Sequence, residues 1–127
     1  MAENISYKNG QIIWQDLTVK NAEDVKEFYS QVIGWKADPH DMGEYNDFDI
    51  KLPESGETVA GICNARGTNA SVPPQWLLYV WVADIQSSIE KCKELGGKII
   101  DGPRKMGGSN FCVIQDPAGA CIAVMGK

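Results

Sequence analysis

Aromatic and polar side chains alternate along residues 12–19 (IIWQDLTV), a segment whose residue types could support chemistry. In a β-strand, Trp14, Asp16 and Thr18 would share one face. An acid among aromatic rings is costly to bury unless it is paired or hydrogen-bonded, and burial raises its pKa. Asp16 is therefore a candidate general base or an anchor for a cationic ligand, with a structural hydrogen bond or a subunit contact as the alternative.

A second segment, residues 76–82 (WLLYVWV), has a related pattern that would place Leu77, Tyr79 and Trp81 on one face. Tyr79 could donate a hydrogen bond to a ligand or, equally, to the backbone. The rings of Trp14 and Trp81 either line a pocket or fill a collapsed core. Tyr79 is thus a second catalytic candidate.

Three further side chains lie in predicted loops. His40, the single histidine, is in a segment that we interpret as a solvated loop over residues 39–44, and a catalytic role is the alternative. Arg66 and Arg104 lie in two Gly-rich segments, where we expect solvated side chains. The alternative for Arg104 is a lid whose cations meet an anionic group.

The four cysteines form no CxxC pair and lie in apolar segments or on the core side of a predicted helix. We interpret them as buried, reduced thiols that act as small apolar side chains. A Cys–His pair with His40 is the alternative, although no spacing supports it. They are Cys63, Cys92, Cys112 and Cys121.

The chain also repeats itself at an offset of about 63 residues, so equivalent positions should face the same cavity. Each half shows a strand, a helix and further strands, which predicts two βαβββ units. The first helix begins at Asn21 and ends at Gly34, and the second begins at Asp84 and ends at Gly96. Pairs at this offset include Leu17 and Val80, Gly34 and Gly97, and Phe48 and Phe111.

The sequence predicts a single domain of 127 residues. We expect the first unit at about 11–63, a Gly-, Asn- and Pro-rich linker at 64–74 and the second unit at about 75–126, after a loose arm over residues 1–10. A net charge of −5 without a Lys/Arg cluster argues against nucleic acid. The absence of a long apolar run or signal peptide argues against a membrane partner and favours the cytoplasm.

Several motifs resemble the vicinal oxygen chelate superfamily, which includes glyoxalase I, bleomycin-resistance proteins and extradiol dioxygenases. They are WQDLTV, AEDVKEFYSQVIGW, YVWVADI and the near-terminal QDPAGACIAV, and the resemblance covers residues 12–126. It implies an α+β fold in which two βαβββ units form a curved mixed sheet with a concave cavity. It also implies a homodimer.

Metal-dependent members of that superfamily hold an ion through His and Glu on the first and last strands of each unit. At the matching positions this chain has Trp14, Leu77, Ala60 (or Gly61 after a shift of one residue) and Ala123, which offer no metal-binding side chain. We therefore expect neither a metal nor another cofactor.

The leading hypothesis is a metal-independent protein, similar to bleomycin-resistance proteins, that binds a small apolar or aromatic molecule in the cavity. The alternatives are a lyase- or isomerase-type enzyme with Asp16, Tyr79 or His40 as acid–base groups, and a metalloenzyme with atypical ligands. The expected ligand-binding residues are Trp14, Asp16, Thr18, Ala60, Leu77, Tyr79, Trp81, Cys121 and Ala123.

Overall fold

A computed structural model describes residues 6–127 and contains two α-helices, eight β-strands and one short 3₁₀ helix. The elements in chain order are β1 (Ile12–Val19), α1 (Ala22–Ile33), β2 (Lys36–Asp41), β3 (Asn46–Lys51), β4 (Thr58–Asn64), the 3₁₀ turn (Gly67–Asn69), β5 (Trp76–Val82), α2 (Ile85–Glu94), β6 (Lys98–Met106), β7 (Ser109–Gln115) and β8 (Cys121–Gly126).

This order confirms the predicted α+β class with a duplicated βαβββ pattern. The chain divides into two compact units, with boundaries inside β1 and β5. We call residues 14–77 the N-terminal unit, and 78–127 with the residues up to Ile13 the C-terminal unit. Neither helix of the described chain has the length and apolar character needed to cross a membrane.

In the N-terminal unit the strand order is β2-β3-β4-β1, with β1 parallel to β4 and the other neighbours antiparallel. Alternate residues of these strands form a core on the side of α1, including Leu17, Ile50 and Ile62. Val25 and Tyr29 of α1 pack against this core.

Helix α1 buries only part of its apolar stripe. Phe28, Val32 and Ile33 are each more than half exposed, whereas Tyr29 accepts a hydrogen bond of 3.0 Å from the indole Nε1 of Trp76. The helix ends where Gly34 adopts a left-handed conformation (φ 91°) and donates its N–H to the carbonyl of Ser30.

In the C-terminal unit the order is β5-β8-β7-β6, with β5 parallel to β8. Ile85 and Ile89 of α2 pack on Cys112 and Val124. Asp84 caps α2 as predicted, because its side chain accepts a hydrogen bond of 3.1 Å from the N–H of Ser87.

Two predicted loops are instead strand. β2 extends to Asp41 and contains His40, and β6 extends to Met106 and contains Arg104. Hairpin pairing with β3 and β7 outweighs the turn-forming residues Pro39, Gly102 and Pro103, because a paired backbone satisfies its N–H and C=O groups. β6 accommodates its Gly-Pro through register shifts against β7.

The predicted loose arm is ordered where the structure describes it. Gly10 donates its N–H to the carbonyl of Trp81 at 2.7 Å, and the N–H of Trp81 donates to Gln11 at 2.8 Å. The Asn9 side chain accepts from the N–H of Ala83, and the ring of Tyr7 packs against Trp81. The prediction of a loose arm is therefore wrong from Tyr7 onward, and its first five residues lie outside the described residues.

Candidate functional site

A row of carboxylates crosses the sheet face of the N-terminal unit that is opposite α1. The register pairs Asp38 with Asp49, Asp49 with Gly61, and Gly61 with Asp16. Register partners in a sheet project to the same side, so these positions share a face. Because Gly61 has no side chain, the row leaves space next to Asp16 and Trp14.

This space is a cavity of about 240 Å³. It brings together three residues selected from the sequence, namely Trp14, Asp16 and His40, although His40 was expected in a loop. The lining residues are Trp14, Asp16, His40, Met42, Asp47, Phe48, Asp49, Gly61 and Cys63.

The charged groups around the cavity form a network. His40 Nδ1 lies 3.4 Å from the Asp49 carboxylate. At the outer end of the row Lys51 lies 2.9 Å from Asp38, and this hydrogen bond lowers the pKa of the Asp38 carboxyl. Asp47 accepts hydrogen bonds from the backbone N–H and side-chain amide of Asn64, at 2.9 and 3.0 Å.

The thiol of Cys63 reports on the electrostatics of this cavity. Burial, followed by the negative charges of Asp16, Asp47 and Asp49, raises its pKa to about 12. The thiol therefore stays protonated at neutral pH and is a poor nucleophile. None of the four cysteines forms a disulfide, and Cys112 is buried as predicted, but the prediction of burial is wrong for Cys63, Cys92 and Cys121, which are only partly buried.

The equivalent row of the C-terminal unit is filled rather than open. Register pairs connect Asp101, Val113, Ala123 and Tyr79 across β6, β7, β8 and β5. Tyr79 is buried and stacks on Phe111, with 5.5 Å between ring centroids. Where the N-terminal unit has Asp16, Gly61 and Asp49, this unit therefore has an aromatic ring and two apolar side chains.

Arg104 covers the other end of this stack and is not in a solvated loop. Its guanidinium lies 4.8 Å from the Phe111 ring centroid, and its Nη2 is 2.8 Å from the carboxylate of Asp101. Both side chains are largely buried. The prediction of a solvated cation is therefore wrong, because β6 places Arg104 over a ring and beside an acid.

Arg66 is exposed and lies 4.1 Å from the ring centroid of Tyr45.

The other expected ligand-binding residues lie in different surroundings. Leu77 is buried, Thr18 is buried beside a separate cavity of about 310 Å³, and Trp81 is covered by Tyr7. Ala123 is fully buried as the register partner of Tyr79, and Cys121 is half-buried at the start of β8. In the N-terminal unit, only Trp14 and Asp16 of the expected ligand-binding set line the 240 Å³ cavity.

Ala60 requires a correction. It packs in the core on the α1 side, and Gly61 occupies the cavity face. The register shows that Gly61, not Ala60, is the counterpart of Ala123. The difference in residue number between equivalent positions of the two units is therefore 62 for β4 and β8, and 64 for β3 and β7. The expected pairing of Phe48 with Phe111 is wrong for the same reason, since the Phe48 side chain lies in the α1-side core, with its backbone carbonyl towards Gly61, and Phe111 stacks on Tyr79. A shift of one residue moves a strand side chain to the opposite face.

Sequence reasoning missed Asp47, Asp49 and Cys63 as lining residues. The signal was present, because Asp47 and Asp49 alternate with the core residues Phe48 and Ile50 along β3. That alternation identifies a polar face, but pairing with β4 is what places it beside Trp14 and Asp16.

A larger cavity of about 570 Å³ lies on the helix side of the C-terminal unit, beside Ser88, Cys92 and Leu95 of α2. Its walls are mainly apolar, and Asp116 at its rim already accepts hydrogen bonds from the N–H groups of Ala118 and Ala120. It contains none of the residues selected as chemically active.

Comparison with known proteins agrees with this fold. The sequence profile of the glyoxalase/bleomycin resistance protein/dioxygenase superfamily matches residues 11–124. The chain belongs to this superfamily.

Two proteins have sequences similar to this chain. The chain is 26% identical over 126 residues to CFP32 of Mycobacterium tuberculosis, which is named as a candidate glyoxylase. The match covers 98% of this chain and 48% of that protein. The chain is 26% identical over 116 residues to the anthracycline biosynthesis protein DauV of Streptomyces sp. strain C5, covering 91% of this chain and 41% of DauV. The chain thus spans about half the length of these relatives.

Solved structures of other proteins share the fold. The hypothetical protein BH1468 of Bacillus halodurans C-125 superposes with a TM-score of 0.54 at 16% identity, covering 94% of this chain and 96% of that one. A methylmalonyl-CoA epimerase of Streptomyces coelicolor, in complex with 2-nitronate-propionyl-CoA, gives a TM-score of 0.52 at 14% identity, covering 94% and 99%. At this identity the likeness concerns the fold alone.

The lack of the superfamily's metal ligands stays a prediction, which rests on the positions that the resemblance assigns to them. The first-strand positions are Trp14 and Leu77, and the last-strand positions are Gly61 and Ala123, none of which has a donor atom for a metal. Within residues 6–127, no group of three or more His, Cys, Asp or Glu side chains is arranged to hold an ion.

Proposed function

We propose that this superfamily member binds a small molecule with an aromatic or apolar part in the cavity beside Trp14, and that it does so without a metal. The observation that supports the proposal is that cavity itself, where the fold brings Trp14, Asp16 and His40 together. The unsuitable residues at the superfamily's metal positions support the metal-independent part.

The lining suits a small ligand. Trp14 and Met42 supply apolar contact, and a few polar groups converge on the same space, which is the usual composition of a ligand pocket. The volume of about 240 Å³ lies slightly below the roughly 300–1,000 Å³ typical of drug-sized ligands, so we expect a compact molecule. The name of DauV refers to the biosynthesis of small molecules, the anthracyclines, which is in keeping with such a role.

The proposal is tested by nuclear magnetic resonance of the ¹⁵N-labelled chain against a set of small aromatic compounds. We expect shifts in the indole N–H of Trp14 and the amides of Asp16 and Gly61, and loss of these shifts in Trp14→Ala. Shifts confined to residues around the larger cavity, such as Ser88 and Leu95, would overturn the assignment of the site.

The second candidate function is an enzyme of the lyase or isomerase type, and one observation favours it. Asp16 and His40 line the same cavity, and His40 lies 3.4 Å from Asp49, which could orient the imidazole. Tyr79 is buried against Phe111, so we place the acid–base roles on Asp16 and His40. Turnover of a bound compound by the wild type but not by Asp16→Asn would establish catalysis and displace the binding-only proposal.

We also propose that the protein forms a homodimer in the cytoplasm. The exposed apolar side chains of Phe28 and Val32 on α1, together with relatives of about twice this length, support two copies acting together. None of the four cysteines forms a disulfide, which suits a reducing compartment. Sedimentation should show twice the mass of the chain, and a monomer at all concentrations would contradict the dimer.

A further inference from the structure

We infer that the ligand of the cavity beside Trp14 is an organic cation, namely a compact molecule that bears an ammonium or similar group next to an aromatic or apolar part. The inference rests on the proposed function, because it names the class of molecule that the same cavity binds. It goes beyond that function because size and apolar contact alone do not specify a charge.

The first argument is the balance of charge in the lining. Asp16, Asp47 and Asp49 contribute three carboxylates, and of the described residues around the cavity His40 is the one basic group. Since His40 contributes at most one positive charge, the lining is negative whether the imidazole is protonated or neutral.

The Lys and Arg nearest along the chain, Lys51 and Arg66, lie outside the cavity lining. Lys51 pairs with Asp38 at 2.9 Å, at the outer end of the carboxylate row, and the guanidinium of Arg66 lies over the Tyr45 ring. Lys51 still interacts electrostatically with Asp49 and offsets part of the negative charge from outside the cavity, but the described lining itself contains no Lys or Arg.

The hydrogen bonds that Asp47 receives from Asn64 bring no positive charge to the cavity. The donors that reach Asp47 are the neutral backbone and side-chain amides of Asn64, at 2.9 and 3.0 Å. Both donors are neutral, so they hold the Asp47 carboxyl group in position without placing a positive charge beside it. Asp47 is thus an oriented negative charge at the cavity wall.

The aromatic wall adds a second feature that suits a cation. An atom placed at the Cβ position of Gly61 would lie 3.5 Å from Asp16 Cβ and 3.7 Å from the Trp14 ring. A ligand over Gly61 therefore contacts both Asp16 and the indole of Trp14, and an indole is the side-chain ring that attracts an ammonium group most strongly when the group lies over its face. An anionic ligand would meet three carboxylates in the same space.

The experiment compares three probes of similar size on the full-length ¹⁵N-labelled chain at low salt, with the Trp14 indole and Gly61 amide as reporters. The probes are benzylamine (cation), benzyl alcohol (neutral) and benzoate (anion). We expect benzylamine to bind about tenfold more tightly than benzyl alcohol, as one close cation–carboxylate contact near a surface predicts, and benzoate to bind most weakly. Adding salt should reduce the preference for benzylamine.

Matched variants assign the preference to the cavity. Asp47→Asn and Asp49→Asn should each reduce the ratio of benzylamine to benzyl alcohol affinity several-fold, whereas Asp24→Asn, the same change at an exposed position of α1, should leave it unchanged. Equal or tighter binding of benzyl alcohol or benzoate at Trp14 and Gly61 would overturn the cation inference and leave the proposed site standing. Failure of all three probes to shift these reporters would count against both proposals.

Discussion

At the scale of single residues, the cavity is defined by one position without a side chain and by the acids around it. Gly61 lies between Asp16 and Asp49 in the register, and its counterpart in the C-terminal unit is Ala123, which is fully buried. The aspartates on either side of Gly61 in the row, Asp16 and Asp49, keep that space polar. Gly61 and the acids beside it together maintain an open, negative site.

We expect Gly61→Ala to preserve the fold and impair ligand binding. The new Cβ would meet Asp16, Trp14 and the Phe48 carbonyl at 3.5–3.8 Å, which is ordinary contact, but it would occupy the floor of the cavity. The free energy of unfolding should stay the same or rise by about 0.4–1 kcal/mol, because alanine restricts the unfolded chain. Chemical denaturation and probe titration measure the two effects. Unchanged probe affinity would show that the ligand does not lie over Gly61.

The thiol of Cys63 gives a direct measure of the negative potential. Its pKa of about 12 is raised first by burial and then by Asp16, Asp47 and Asp49, so alkylation by iodoacetamide at pH 9 should be slow. Removing one of these charges in Asp49→Asn should lower the pKa and increase the alkylation rate. Peptide mass spectrometry across a pH series resolves each cysteine.

Cys112 serves as the internal control in that experiment. Burial raises its pKa to about 11, and the charged neighbours that contribute are Cys92, Asp101 and Lys93 rather than Asp49. Its alkylation rate should therefore be the same in the wild type and in Asp49→Asn. An unchanged rate at Cys63 would indicate that the carboxylates do not set the potential in the cavity.

At the scale of elements, the strands and helices follow local rules, but strand pairing decides which of them extend. β2 and β6 continue through Pro39 and Pro103 because their partners β3 and β7 supply hydrogen bonds. This extension is what brings His40 to the cavity and Arg104 to the Phe111 ring. Close packing of a helix against a strand requires a small residue, as the glycine after α2 shows.

Gly97→Ala should destabilise the protein through this close approach. A Cβ at Gly97 would lie 2.6 Å from the Cys92 sulfur and 2.8 Å from the carbonyl oxygen of Gln115, which belongs to the backbone and cannot rotate away. We expect a loss of about 1–3 kcal/mol in the free energy of unfolding, as for other overpacked sites.

Gly108→Ala is the matched control for that change. No heavy atom lies within 4 Å of its added Cβ, so thermal and urea unfolding should remain close to those of the wild type. Equal stability of the two variants would mean that the end of α2 can move away from β7, contrary to the packing described.

At the scale of the whole molecule, duplication has produced two units of the same topology with different contents. The carboxylate row of the N-terminal unit lines an open cavity, while the equivalent row of the C-terminal unit is filled by Tyr79, Val113 and Ala123. In the C-terminal unit, Arg104 lies over the Phe111 ring and forms an ion pair with Asp101. On this sheet face, the C-terminal unit is thus packed with side chains, whereas the N-terminal unit contains a cavity.

If the protein acts without a metal, removing metal ions should change neither its stability nor its binding. We expect the melting temperature and the benzylamine affinity to be the same before and after treatment with EDTA, and elemental analysis of the purified protein to find no stoichiometric metal. A bound ion whose removal lowers the melting temperature would identify an atypical metal site and overturn the metal-independent proposal.

The sequence by itself determined the duplicated βαβββ pattern, the two helices with their ends, and the pairing of Trp14 with Asp16 on one face. These features depend on local periodicity, capping residues and glycine, which act over a few residues. The sequence also identified the superfamily, because the motifs of the superfamily lie in these same strands, helices and turns. The alternation of side chains also predicted the bounds of β1 and β5 as the structure has them.

Only the tertiary structure decided which side of β4 faces the cavity, that His40 lies in a strand, and that Tyr79 is buried. Register shifts between β6 and β7 and between β3 and β4, together with a turn between β3 and β4 that is one residue longer than the turn between β7 and β8, change the offset from 63 to 64 and then to 62. Because a shift of one residue reverses the direction of every side chain, a constant offset selected Ala60 where pairing selects Gly61. Pairing depends on hydrogen bonds between residues distant in sequence, and periodicity within one strand does not contain that information.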